Sequence, residues 1–273
     1  MKALSHSCIG QRHLLKGIVC QDASASLDEN LVSIALVSDG HGSAQYVRSD
    51  IGARSAVDVA MEKVRDFVES APREWFSSCP LTAMQAGECI QTDAGKALRQ
   101  LACCIVSAWG QAVEKDFREN PLEGEFSYEY YGCTLIGAVV TPSYWFAFHI
   151  GDGRCLAMDR DGTIVQPVPW DSLCVGNVTT SMCSENPLEA FRFCYGGEDT
   201  VPQALFLCSD GIEDSYLEEG ALEDFFRKSL ICAREEGPGA LLDLYSRLFP
   251  ELSRDCNPSG DDCSVAMLYD ETL

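Results

Sequence analysis

Four aspartates beside apolar segments are the residues of this sequence that are best suited to chemistry. If those segments are strands whose ends meet at one edge of a sheet, the carboxylates would repel one another unless cations lay between them. Carboxylate and carbonyl oxygens are the ligands that Mg²⁺ and Mn²⁺ prefer. The pattern therefore favours a site for hard divalent cations, and its members are Asp22, Asp39, Asp210 and Asp261.

The segment 38–42, Ser-Asp-Gly-His-Gly, is the centre of this pattern. Asp39 follows an uncharged run, residues 31–38, that predicts a buried strand. The glycines on either side of His41 allow positive φ and a close approach of the backbone to whatever the acid binds. Alone, an Asp-Gly pair after a strand is more often an ordinary turn. The three other aspartates are what favour a site.

Six short motifs occur along the chain in an order that resembles the metal-dependent protein phosphatases, the type 2C serine/threonine phosphatases, in their bacterial form. The resemblance extends over residues 5–269. Each motif is short and unspecific alone, and the specificity comes from their order and separation. The motifs are QDA at 21–23, SDGHG at 38–42, GCTL at 132–135, GDGR at 151–154, SDG at 209–211 and GDDCS at 260–264.

The resemblance implies a centre of two Mn²⁺ or Mg²⁺ ions, with a place for a third ion that binds more weakly. Asp39 would bridge the two ions, and Asp210 and Asp261 would bind one of them. The backbone carbonyl of Gly40 would bind the other ion. Asp22 would hold a metal-bound water through a hydrogen bond.

Asp152, in the GDGR motif, has two interpretations. The residues alone predict a turn, whereas the resemblance implies a ligand of the third ion. Asp262 stands where the family has an asparagine, which implies a supporting role beside Asp261. Glu213 and Asp214, directly after the SDG motif, are expected to be solvated.

The resemblance also implies hydrolysis without a phosphoenzyme. Water between two divalent ions can have its pKa lowered toward about 7, and hydroxide then attacks phosphorus in line. His41 would protonate the leaving serine or threonine oxygen. In the family an arginine binds the substrate phosphate; Arg12 is near but at a different spacing, so His13 or Lys16 could take the role. A solvated turn is the alternative for this segment.

Short strands and two pairs of long helical segments predict an α+β fold in a single domain, residues 1–273. The resemblance implies a four-layer α-β-β-α sandwich, with two antiparallel sheets and helical pairs outside. Strand 133–140 is expected to pair with 144–150, and the GDGR turn to form a hairpin with 155–159. We also expect a strand at 163–168 and helices at 43–70 (capped by Ser43), 86–117, 217–235 and 239–249.

The interval 171–200 has no clear hydrophobic period. The resemblance implies a variable flap beside the active site that influences the choice of substrate. An ordinary surface excursion is the alternative.

Composition argues against several classes of partner and site. A net charge of −22 and a pI near 4.4 argue against nucleic acid and anionic membranes, which attract clustered Lys and Arg. The 15 cysteines include no CxxC pair, which disfavours a zinc cluster. The N-terminus has no apolar signal segment, and no run of about 18 apolar residues suits a membrane span. We expect a cytoplasmic monomer with reduced thiols that acts on a phosphorylated protein.

Two other classes of function compete with the phosphatase. One is a catalytically silent binding or regulatory module with the same fold. The other is an acidic calcium buffer, although the twelve-residue loop with alternating ligands is missing. Manganese-dependent turnover that is lost in Asp39→Asn would separate the enzyme from both.

Overall fold

A computed structural model describes residues 1–29, 31–88, 91–175 and 178–272 of the chain. Within them the strands run antiparallel to their neighbours throughout. The strands are β1 (Lys2–Cys8), β2 (Ala23–Glu29), β3 (Val32–Ser38), β4 (Thr82–Met84), β5 (Leu135–Val140), β6 (Tyr144–Ile150), β7 (Arg154–Met158), β8 (Ile164–Val165), β9 (Arg192–Gly197), β10 (Ala204–Cys208) and β11 (Cys263–Tyr269).

Two sheets contain these strands. One has the order β1-β11-β10-β7-β8, and the other has the order β2-β3-β5-β6-β9-β4. The helices of the described residues are α1 (Gln11–Lys16), α2 (Ser49–Ser70), α3 (Asp93–Glu119), α4 (Pro187–Ala190), α5 (Asp210–Glu213), α6 (Ala221–Glu235) and α7 (Pro238–Asp255).

Strand β3 shows how the layers arise from the sequence. Alternate side chains of a strand point to opposite faces of the sheet. Ile34 and Leu36 pack in the apolar cluster that includes α2 and α3, while Ala35 and Val37 pack between the two sheets. Helices α6 and α7 cover the outer face of the five-stranded sheet. The predicted α+β sandwich with helices outside two antiparallel sheets is confirmed, and the single domain stays a prediction.

The expected hairpin at the GDGR turn is wrong. Strand β6 belongs to the six-stranded sheet and β7 to the five-stranded sheet, so residues 151–153 carry the chain across the sandwich. Gly151 and Gly153 adopt φ of +100° and +81°, and a Cβ on Gly153 would lie 2.5 Å from the carbonyl oxygen of Cys208. A short glycine turn looks alike in sequence whether it pairs two strands or joins two sheets.

The first long helix begins at Ser49, and Ser43 does not cap it. In the preceding loop, backbone N–H groups donate to distant segments instead of starting a helix. The N–H of His41 donates to the carbonyl of Gly132, and that of Arg48 to the carbonyl of Tyr130. The second long helix begins at Asp93 with Thr92 as its cap, rather than at 86. Residues 89–90 of that prediction lie outside the described residues.

Three smaller expectations also change. Helix α6 begins at Ala221, and α7 extends to Asp255. The strand expected at 163–168 is limited to Ile164–Val165. Within the interval 171–200, β9 is fully buried, so that part is not a surface excursion. None of the helices in the described segments combines the length and hydropathy needed to cross a bilayer.

Candidate metal centre

The register of the strands explains why distant aspartates meet. Ala23 of β2 pairs with Ser38 of β3, which places Asp22 beside Asp39 at the end of the six-stranded sheet. Cys208 of β10 pairs with Val265 of β11, which places Asp210 near the residues preceding β11. Packing of the two sheets then brings both pairs of strand ends to one edge of the sandwich.

The carboxylates at this edge influence one another strongly. Burial raises the pKa of Asp39 well above its ordinary value, and the charges of Asp22 and Asp210 raise it further. Burial also raises the pKa of Asp210, to about 7, and the charges of Asp152 and Asp261 add to the effect. The interaction between Asp39 and Asp210 raises the pKa of Asp39 and partly offsets the rise at Asp210. The edge therefore gathers negative charge that the protein alone does not fully compensate.

A hard divalent cation fits this edge. Asp22 is 5% exposed, and its Oδ2 is buried without a hydrogen-bond partner among the described residues. Burial and the charge of Asp262 raise the pKa of Asp22 well above the ordinary value. The available donors are oxygens, which Mg²⁺ and Mn²⁺ prefer. In the described segments, no three His, Cys, Asp or Glu side chains are grouped closely enough to hold a metal unaided. Carbonyl oxygens and water would have to complete the coordination.

The carbonyl of Gly40 is the one that the sequence resemblance predicts as such a ligand, and only glycine fits at position 40. A Cβ at position 40 would lie 2.4 Å from the carbonyl oxygen of Gln21 and 2.7 Å from that of Ser49. The backbone of Gly40 is bridged to Cys133 on the other side. The DGHG loop is thus enclosed by backbone from three segments.

Arg12 contacts one of the aspartates at this edge. Its Nη2 lies 2.7 Å from Oδ2 of Asp261. A Cβ on Gly42 would lie 3.1 Å from the same nitrogen, so the guanidinium borders the DGHG loop. Lys16, at the end of α1, is exposed to solvent.

His13 is directed into the protein. It is 3% exposed, and its Nδ1 lies 2.9 Å from Oδ1 of Asp262. The same carboxylate accepts the backbone N–H groups of Gly10 and Gln21, each at 2.6 Å. These hydrogen bonds outweigh burial and lower the pKa of Asp262. Asp262 therefore ties the N-terminal segment to the start of β11, which agrees with a supporting role.

His41 contacts a residue that the sequence did not single out. Its Nε2 lies 2.8 Å from Oγ of Ser181, and the hydroxyl of Ser181 donates to the carbonyl of Cys133 at 3.0 Å. A serine hydroxyl has one proton, so the Nε2–H of a neutral His41 must be the donor to Ser181. The ring packs edge-on against Tyr46, and burial lowers the pKa of His41 to about 4.

Glycine is also required beside His41. A Cβ on Gly132, in the GCTL motif, would lie 2.7 Å from Cδ2 of His41 and 2.6 Å from the Tyr46 ring. Ser181 lies in the interval without hydrophobic period, so no sequence signal distinguished it.

Asp152 lies on a turn that a buried network holds. Arg192 is fully buried and donates to the carbonyl of Gly151 at 2.6 Å, with Asp171 3.8 Å from its Nε. His149 donates from Nε2 to the carbonyl of Asp152 at 2.7 Å. Burial raises the pKa of Asp152, and its charge acts on both Asp39 and Asp210, so it belongs to the same edge.

Glu213 differs from its expected solvated state. Its Oε1 accepts from Nε of Arg154 at 2.7 Å, whereas Asp214 is exposed. Cys208 packs in the apolar core of the five-stranded sheet, and burial raises the pKa of its thiol.

Comparison with known proteins agrees with this fold. The family model "Protein phosphatase 2C" matches residues 9–245. A search of curated proteins found no significant match. Three solved structures illustrate the likeness in fold.

The serine/threonine phosphatase Stp1 from Staphylococcus aureus is 15% identical, with a TM-score of 0.61 over 99% of this chain and 95% of that one. PppA, described as a key regulatory component of the T6SS in Pseudomonas aeruginosa, is 17% identical, with a TM-score of 0.58 over 98% and 96%. The catalytic domain of the serine/threonine protein phosphatase PstP, in complex with two manganese ions, is 15% identical, with a TM-score of 0.57 over 97% and 96%.

The family match covers most of the chain, and the structural neighbours share both antiparallel sheets and the outer helices. The resemblance inferred from the six motifs is thereby confirmed. The chain belongs to the protein phosphatase 2C family of serine/threonine phosphatases.

Proposed function

We propose that this protein hydrolyses phosphoserine and phosphothreonine in other proteins, with two Mn²⁺ or Mg²⁺ ions held at the aspartate edge. The observation that carries the proposal is the convergence of Asp22, Asp39 and Asp210, where burial and neighbouring carboxylates raise the pKa of each, together with an unpartnered oxygen on Asp22. Such an arrangement is unfavourable in a protein of this charge unless cations offset it.

The residues that would hold the ions are Asp39, Asp210, Asp261 and the carbonyl of Gly40, with Asp152 for a third ion. When bound, the ions would lower the pKa of water and offset charge on the phosphoryl oxygens. Asp22, buried behind Asp39, would orient water with its unpartnered Oδ2.

Arg12 supports a revised assignment of the phosphate contact. His13 is buried against Asp262, and Lys16 is exposed at the end of α1, whereas Arg12 reaches Asp261 and the DGHG loop. We assign the phosphoryl oxygens to Arg12 because a planar guanidinium pairs with two oxygens at once. His13 then serves to fix Asp262.

His41 would supply the proton to the leaving oxygen. Nε2 is committed to Ser181, and burial lowers the pKa of His41 to about 4. Nδ1 is therefore unprotonated in the free protein near neutral pH and would have to gain its proton when the negatively charged phosphoryl group binds. The cysteines of the described residues are all unpaired, which supports a cytoplasmic site of action with reduced thiols. We propose that the active form is a single chain and that its partner is the phosphorylated substrate protein.

The decisive experiment measures hydrolysis of p-nitrophenyl phosphate and of a phosphoserine peptide by the full chain, with Mn²⁺, with Mg²⁺ and with chelator. We expect turnover only with a divalent ion, and a loss of about 100-fold or more in Asp39→Asn. The matched control is Asp199→Asn, since Asp199 is exposed and outside the site.

A folded wild-type protein without turnover under any metal would contradict the proposal and favour the silent binding module. Tight Ca²⁺ binding without turnover would favour the calcium buffer. Anomalous scattering from crystals soaked in Mn²⁺ would count the ions and identify their ligands.

A further inference from the structure

A cavity of about 590 Å³ lies at the end of the molecule opposite the aspartates. It is bordered by the first residue of β3, the last turns of α2 and the turn between β5 and β6. Asp39 follows the other end of β3. Seven strand residues at about 3.3 Å each place the two regions about 20 Å apart. The cavity is therefore separate from the candidate metal centre.

One residue that lines the cavity has a buried hydroxyl without a partner among the described residues. Tyr144 lines the cavity, is 1% exposed, and its hydroxyl oxygen makes no hydrogen bond with any described residue. Its ring is stacked on Phe76, with centroids 4.7 Å apart and an angle of 22°, so the hydroxyl is fixed in direction. A buried hydroxyl that lacks a partner is costly and calls for an explanation, such as a bound ligand or water.

A guanidinium belongs to the lining of the same cavity. Arg73 lines the cavity and is exposed, and within the described segments its side chain has no ion pair or hydrogen bond. Its positive charge acts on the hydroxyl, because it lowers the pKa of Tyr144, which burial raises to about 12. Of the other charged residues that line the cavity, Arg65 is paired with Glu29 at 3.3 Å, and Glu69 is exposed to solvent. Arg73 is thus the cation of this lining that has no ion pair within the described segments.

An apolar part of the wall is formed by side chains from Val32, Val68 and Pro142, and Glu29, Arg65 and Glu69 line the cavity elsewhere. Thr141 is not available to a ligand, because its hydroxyl already donates to the carbonyl of Tyr144 and accepts two backbone N–H groups. Binding cavities of several hundred Å³ commonly combine an apolar wall with a few polar groups that fix the orientation of a ligand.

We propose that this cavity binds a small molecule with an apolar body and one terminal oxyanion, a carboxylate or a phosphate. The oxyanion accepts hydrogen bonds from the hydroxyl of Tyr144 and the guanidinium of Arg73. The apolar body lies against Val32, Val68 and Pro142. This binding does not depend on the phosphatase reaction.

Isothermal titration calorimetry of the full chain tests the proposal with three probes that share one apolar body. They are 3-phenylpropionate, 2-phenylethylphosphonate and the uncharged 3-phenylpropanol. We expect saturable binding of at least one anion and none of the alcohol in the same concentration range. The tighter of the two anions identifies the oxyanion as a carboxylate or a phosphate. Each titration is repeated with Asp39→Asn, so that phosphonate binding at the aspartate edge is separated from binding in the cavity.

Three variants localise the binding. Arg73→Gln and Tyr144→Phe should each weaken the anion about tenfold or more, because each removes one donor to a charged acceptor. Arg160→Gln removes an exposed positive charge elsewhere and should change the affinity less than about twofold. Tyr144→Phe keeps the ring stack and should melt at or above the temperature of the wild type.

The proposal is overturned by equal binding of the alcohol, by anion binding that neither Arg73→Gln nor Tyr144→Phe weakens, or by the absence of saturable binding. A clear drop in the melting temperature of Tyr144→Phe would also overturn it, because the hydroxyl would then be satisfied by water in the free protein.

Discussion

Ser181 fixes the tautomer of His41. The hydroxyl proton of Ser181 goes to the carbonyl of Cys133, so the 2.8 Å contact between Ser181 and His41 is a hydrogen bond donated by Nε2–H of the imidazole. The backbone N–H of Cys183 also donates to Ser181, at 3.3 Å. Residue 181 thereby connects the interval 171–200 to the candidate catalytic loop.

Ser181→Ala should alter His41 without altering the fold. We expect the neutral imidazole to populate both tautomers once its partner is lost. Hydrolysis of a phosphoserine peptide should slow about tenfold, whereas Ser181→Thr, which keeps the hydroxyl, should restore most of the rate. Imidazole ¹⁵N shifts report the tautomer independently of activity, and His41→Ala assigns the signal. An unchanged Nε2–H signal in Ser181→Ala would show that Ser181 does not set the tautomer.

His41→Ala tests the role of the imidazole as an acid. The p-nitrophenolate leaving group needs little protonation, whereas a serine alkoxide needs much. We therefore expect the substitution to slow the phosphoserine peptide by about 100-fold and p-nitrophenyl phosphate by much less. The measurement is kcat on both substrates at saturating Mn²⁺. Equal losses on the two substrates would remove the acid role.

The contrast between His41 and Ser181 shows what the sequence could and could not predict. Motifs at strand ends predicted which aspartates meet, because a strand and its terminal acid are adjacent in the chain. The pairing register of β2 with β3, and of β10 with β11, then places these strand ends side by side. Ser181, Asp171 and Arg192 act through contacts between segments far apart in sequence, and no local pattern reports such contacts.

The different environments of Arg12 and His13 could not be predicted from the sequence either. The two residues are neighbours in a short helix, so sequence alone gives them similar access to the site. Only the structure shows that Arg12 reaches Asp261 while His13 is buried against Asp262. The direction of a side chain on one helical turn depends on what that turn packs against.

Arg192→Met should destabilise the protein through the turn that carries Asp152. The substitution leaves Asp171 without its cation and the carbonyl of Gly151 without its donor. Removing one partner of a buried ion pair costs about 3 kcal/mol or more. Urea unfolding measures the loss, and the double variant Arg192→Met/Asp171→Asn should recover part of it. A double variant with the full sum of both single losses would show that the two side chains do not interact.

His149 makes the stability depend on pH. Burial lowers the pKa of His149 well below its ordinary value, and the charges of Arg192 and Arg154 lower it further. Below about pH 6.5 the imidazole of His149 is therefore protonated in the unfolded chain but not in the folded chain. The free energy of unfolding consequently falls as pH falls. His149→Gln keeps a donor for the carbonyl of Asp152 and removes the titration.

The difference between wild type and His149→Gln isolates this effect from the aspartates, which are common to both. From pH 7.5 to pH 5, we expect the wild type to lose stability relative to the variant, with a slope approaching about 1.4 kcal/mol per pH unit. Urea unfolding at each pH, in chelator, measures the slope. Parallel curves for the two proteins would contradict the prediction.

Gly40→Ala should weaken metal binding although it leaves every aspartate unchanged. The added methyl would meet the carbonyl oxygens of Gln21 and Ser49, which are backbone atoms of two different segments and cannot turn aside. The DGHG loop must shift, and we expect the affinity for Mn²⁺ to fall about tenfold or more. The matched control is Gly239→Ala in α7, where a Cβ meets nothing within 4 Å.

Alanine at 239 should raise the free energy of unfolding by about 0.5–1 kcal/mol, because glycine is the weaker helix former. Titration of each variant with Mn²⁺, followed by calorimetry and by turnover of p-nitrophenyl phosphate, compares the two positions. Wild-type Mn²⁺ affinity in a folded Gly40→Ala would show that the close approach of these backbones does not shape the metal centre.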